Sequence, residues 1–84
     1  MTSIERTLLR MRNNPANVRF DDLGKVCQHY FGAARVRGSH HVYKTPWPGD
    51  PRVNIQVSKD GDAKPYQVKQ VLDAIDKLEA GIDY

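Results

Sequence analysis

Leu23, Val26, Cys27, Tyr30 and Phe31 stand at i, i+3, i+4, i+7 and i+8, and at Gly32 that helical spacing stops. From there the apolar residues alternate, most strictly as Val53, Ile55 and Val57, before Val68, Val71, Leu72, Ile75 and Leu78 restore the helical stripe. A chain of 84 residues that switches its hydrophobic period twice has room for one α+β domain and no second core. The helix-to-strand change at Gly32 therefore fixes the layout more tightly than any other feature.

Around that change the elements follow in order. Thr2-Ser3-Ile4-Glu5 reads as a capping box opening a first helix through about Arg12, which Asn13-Asn14-Pro15 ends. Asp21 is the expected N-cap of the second helix, with Phe20 as a staple residue and Gly32 as its left-handed stop. Residues 33–37, 39–45 and 52–58 read as strands, the first two separated only by Gly38, which implies a tight hairpin or a bulged bend. Pro46-Trp47-Pro48-Gly49-Asp50-Pro51 is a loop, residues 58–62 a turn, and Pro65 suits the first turn of a last helix closed by Gly81. The expected fold is α-α-β-β-β-α: a three-stranded antiparallel sheet with helices on one face, as a single domain whose residues 1–14 extend a core at 21–80.

Charge narrows the function. Residues 33–69 hold seven Lys and Arg against three Asp, while residues 70–84 hold one Lys against four acids. A basic centre with an acidic end suits a polyanionic partner. The lone Cys27 lies within the apolar stripe of the second helix, which marks it as a core residue and rules out an internal disulfide. No run approaches the ~18 apolar residues of a membrane span, and no signal-peptide core opens the chain, so a cytoplasmic protein without membrane contact is expected.

Chemistry concentrates in Arg35-Val36-Arg37-Gly38-Ser39-His40-His41-Val42-Tyr43-Lys44. Histidine moves protons near neutral pH, the cations suit a phosphodiester, and Gly38 permits a close backbone approach. These parts fit transesterification of RNA, in which a histidine takes the proton of a ribose 2′-OH; nothing in the residues asks for a metal or another cofactor. Strand alternation places His40, Val42 and Lys44 on one side and Ser39, His41 and Tyr43 on the other, so at most one histidine lines a given surface. Spacing leaves open which one, and a histidine pair on a strand is more often structural than functional.

Gly38-Ser39-His40-His41-Val42-Tyr43-Lys44, followed by Val53-Asn54-Ile55-Gln56-Val57 and by the segment 64–75, resembles the HicA toxins, the mRNA interferases of HicA–HicB toxin–antitoxin pairs. The resemblance spans about residues 22–77. It implies a double-stranded-RNA-binding-domain-like α-β-β-β-α fold, metal-independent endoribonuclease activity on mRNA, and a HicB-like antitoxin partner, with homo- or hetero-oligomers possible in such a pair. It implies His40 as the catalytic residue, with Gly38 and Ser39 as supporting positions and His41 and Tyr43 as candidate assistants. At Val57-Ser58-Lys59 the chain lacks the proline–histidine pair many members carry, so no second catalytic histidine is implied there.

Arg35, Arg37, Lys44, Arg52, Lys64 and Lys69 are the candidate RNA-binding cations, the last two near the start of the final helix. Trp47 either stacks on an unpaired base or anchors in the antitoxin, or else folds back on the sheet. Asp73, Asp76, Glu79 and Asp83 read as a solvated acidic face. Two other classes of function fit the same residues: a non-catalytic RNA-binding module, and an inactive toxin relic serving as a protein-interaction domain.

Overall fold

Glu5 N–H donates to Thr2 Oγ1 (3.1 Å) and Thr2 N–H donates to Glu5 Oε1 (3.2 Å), closing the expected capping box at the start of the chain. A computed structural model describes residues 1–81 and orders them as α1 (Ser3–Asn13), α2 (Phe20–Phe31), β1 (Arg35–Arg37), β2 (His40–Tyr43), β3 (Val53–Gln56) and α3 (Pro65–Glu79). Asp83, assigned above to the acidic face, lies outside the described residues.

The sheet is antiparallel in the order β1-β2-β3. Arg37 pairs with His40, so Gly38 and Ser39 form a two-residue hairpin loop. Gly38 has φ 58° and Ser39 a negative φ, the sign pattern of a type II′ turn, which asks for glycine at its first central position. The strands are shorter than the sequence suggests. Gly32 turns the chain with φ 85° before Ala33, and β2 stops ahead of Pro46, which has no N–H to give a ladder. β3 gives way after Gln56 to a single bridge, Val57 to Ala63.

The start of α2 also departs from expectation. Asp21 lies in the first turn, and the N-cap is Arg19, which makes no side-chain capping bond. Tertiary backbone bonds replace the cap: Phe20 N–H donates to Gly61 O (3.1 Å) and Ala63 N–H to Val18 O (2.8 Å). Arg19 reinforces the contact through Asp62 Oδ1 (3.0 Å) and Asp60 O (3.1 Å). Gly61 is favoured here by its φ of 82°, and a Cβ would in addition displace the Arg19 guanidinium, 2.8 Å away.

One core serves five of the six elements, β1 alone being exposed along its whole length. Leu23, Val26 and Cys27 of α2, Tyr43, Val53 and Ile55 of the sheet, and Val68, Val71, Ala74 and Ile75 of α3 are buried together. Met11 joins them with no exposed surface, and Leu8 and Ile4 pack at the margin. The N-terminal helix is thus a wall of the core, not an appendage to it, because Pro15 turns the chain back across α2 and α3. Burial pushes the Cys27 thiol up to about 12, so it stays protonated and inert at neutral pH. None of the described helices is long and apolar enough to cross a membrane.

Met11→Ala is expected to destabilise the fold by about 2–5 kcal/mol, because the cavity opens in a site walled by three helices. Urea unfolding followed by circular dichroism measures this; an unchanged midpoint would mean that α1 does not stabilise the core.

Candidate functional site

The alternation of β3 decides the character of the sheet. Val53 and Ile55 turn into the helices, so Asn54 and Gln56 turn away from them. Register carries the division across the ladder: Gln56 faces His40 and Arg37, while Asn54 faces Val42 and Arg35. These six side chains form the open face, with no helix over it. His41 and Tyr43 belong to the other side, where His41 meets the edge of Phe20 at a ring separation of 5.0 Å. Tyr43 is buried, and burial raises its phenol above the ordinary range. The structure therefore separates the two histidines and places only His40 among the cations. His41 and Tyr43, the candidate assistants, do not share its surface.

His40 is exposed yet held. Its Nδ1 lies 3.3 Å from Asn54 Oδ1. Beside it Gln56 links three elements: Nε2 donates to Ser39 Oγ (3.1 Å), Oε1 accepts from Lys64 Nζ (3.0 Å), and the backbone N–H donates to Gln67 Oε1 (2.8 Å). Gln67 is 5% exposed and fixes the start of α3 against β3. Through this chain Lys64 reaches the open face from the helix side, next to the hairpin that carries His40. Ser39 departs from strand alternation because it is a turn residue, and its hydroxyl faces Gln56.

The remaining cations divide. Arg35 and Arg37 project from β1 onto the open face, and Lys44 and Arg52 flank it where β2 ends and β3 begins. None of these four makes an ion pair among the described residues; the pairs present are Arg10–Asp22 (3.7 Å), Arg12–Asp76 (2.8 Å) and Arg19–Asp62 (3.0 Å). A cleft of about 640 Å³ opens at the sheet end between Phe31, Ala34, Arg35, Val42 and Lys44. A second, of about 320 Å³, lies between Lys44 and Arg52. Lys69 is not part of this surface: it lines clefts on α3 with Asp50, Asp73 and Asp76.

Trp47 is 6% exposed, which removes it from any base-stacking or anchoring role. Its Nε1–H donates to Pro51 O (3.0 Å), Phe31 meets its ring edge-on, and Lys77 Nζ sits 4.8 Å above it. The proline-rich loop folds the indole back into the core, where its ring contacts among the described residues come from α2 and α3 and not from the sheet. Asn54, Gln56 and Gln67 carry no mark in the sequence that would single them out. The only signal for the first two is their alternation with Val53 and Ile55. Compared with protein-family models, with curated proteins and with solved structures, the chain matches none.

Gln67→Leu keeps the volume but leaves the Gln56 N–H without its acceptor. A loss of about 1–3 kcal/mol is expected in urea unfolding. Gln56→Ala keeps that N–H bonded and is expected to cost about 1 kcal/mol or less. Equal losses would show that the buried amide does not join α3 to β3.

Proposed function

We propose that the open face of the sheet cleaves RNA, and that the chain is a metal-independent endoribonuclease of the HicA toxin kind, acting on mRNA in the cytoplasm and restrained by a HicB-like antitoxin. The observation that carries this reading is the setting of His40: an exposed, hydrogen-bonded imidazole on a surface whose cations have no acidic partners among the described residues. The Gly38-Ser39-His40 motif and the α-β-β-β-α order from α2 onward support it.

In the proposed reaction His40 takes the proton of a ribose 2′-OH. The 2′-oxygen attacks the adjacent phosphorus, the bond from phosphorus to the 5′-oxygen breaks, and that oxygen leaves with a proton from water. The products are a 2′,3′-cyclic phosphate and a 5′-hydroxyl, and His40 returns its proton to solvent. Lys64 and Arg37, nearest His40 on the face, balance the charge that builds on the non-bridging oxygens. Arg35, Lys44 and Arg52 hold the flanking backbone, a role that fixes register without reading sequence.

Purified protein is expected to cut a defined mRNA in EDTA and leave cyclic phosphate ends. His40→Ala is expected to lower the rate at least ~10²-fold, as loss of a general base does, with the fold intact by circular dichroism. His41→Ala is expected to keep cleavage, since His41 faces the helices. RNA left intact by folded wild-type protein, but bound with an affinity that falls steeply with salt, would replace the nuclease by a binding module.

A further inference from the structure

A carboxamide oxygen only accepts hydrogen bonds, so the contact of 3.3 Å between Asn54 Oδ1 and His40 Nδ1 requires the proton on Nδ1. In neutral imidazole that leaves the lone pair on Nε2, which has no partner among the described residues. We infer that Asn54 is a positioning residue for His40: it fixes the ring as its Nδ1–H tautomer and presents Nε2 to the open face as the proton acceptor.

The sheet explains why Asn54 takes this part. Gln56 stands directly across from His40, but both ends of its amide are engaged, by Ser39 and by Lys64. Asn54 is the diagonal neighbour two residues earlier on β3, within side-chain reach of His40 on the same face. Val53 and Ile55, both fully buried, lock the backbone on either side of it. The acceptor therefore sits on a strand that cannot rotate, and the imidazole exposed above it gains an orientation that solvent alone would not give. An amide also sets the tautomer without adding charge, which a carboxylate in its place would do.

The place of Asn54 in a reaction rests on the nuclease reading; the tautomer does not, and the two are tested separately. Two-bond ¹H–¹⁵N correlation spectra of the full chain, recorded under alkaline conditions where imidazole is neutral, report which ring nitrogen carries the proton. Wild type is expected to show Nδ1–H, and Asn54→Ala to shift towards Nε2–H. In cleavage assays Asn54→Ala is expected to lower kcat on the order of tenfold with KM within about twofold, the pattern of a lost orienting partner. Asn54→Asp keeps the shape and the acceptor, which guards against a variant that merely unfolds. Its carboxylate joins Arg37 of β1 and Lys64, the residue ahead of α3, around the ring and favours the imidazolium, so the acidic limb of kcat/KM is expected to move to higher pH. An Nε2–H tautomer in wild type, or the same tautomer and the same kcat in Asn54→Ala, would overturn the assignment. Intact RNA with an Nδ1–H tautomer would instead overturn the nuclease reading, and with it the role of Asn54 in a reaction, while the tautomer assignment would hold.

Discussion

Tyr43, Val53 and Ile55 pull one side of the sheet under α2 and α3, and the rest of the molecule depends on that contact. Strand alternation then sends every intervening side chain to the other side. Because no helix covers that side, β2 and β3 can hold His40, Asn54 and Gln56 there without the desolvation cost that buried polar groups would incur. The same contact fixes the approach of α3, whose first turn is tied to β3 through Gln67 and Gln56. Core packing and the arrangement of the open face are consequently one problem: a slip of one residue in β3 would exchange Asn54 and Gln56 for Val53 and Ile55.

The ion pairs follow a similar division. Arg10, Arg12 and Arg19 meet acids contributed by α2, α3 and the turn before α3; the first pair joins consecutive helices, the other two join segments more than forty residues apart. Exposed pairs of this kind contribute at most about 1 kcal/mol each, so their number says little about stability. Their distribution says more. Three arginines are matched around the helices, whereas Arg35, Arg37, Lys44 and Arg52 make no ion pair among the described residues. Their unmatched charge adds to the positive potential over the surface that bears His40.

Much of this is legible in the sequence, and the exceptions have physical causes. The period change at Gly32 and the Thr2–Glu5 box mark elements that form as their patterns predict, because local patterning and tertiary packing agree there. Alternation by itself puts His40 and His41 on opposite sides of β2, although only the helices decide which side each takes. Asp21 carries the composition of a cap but does not act as one, because the start of α2 is satisfied from residue 61, a partner no local pattern reveals. The segment 1–14 reads as separable since Pro15 breaks the helix, but burial of Met11 depends on where α1 lands, not on its own spacing. Asn54 and Gln56 resemble ordinary solvated strand residues. Their roles arise from cross-strand register, which is fixed by a hairpin turn and a proline-rich loop and not by their own identities.

The makeup of the open face bears on what can cover it. Val42 is its one apolar side chain among amides, an imidazole and cations, whereas the cores of stable protein interfaces are apolar and aromatic. A sugar–phosphate backbone meets such a surface with acceptors and negative charge, and gives up counterions as it does so. A protein that masks the face has to offer the same chemistry: carboxylates against Arg35, Arg37 and Lys64, and a polar group at His40 Nε2, since leaving those charges buried and unpaired would cost more than the contact returns. In the proposed pairing, inhibitor and substrate would be alike in charge pattern, and the antitoxin would compete with RNA by occupying the same cations.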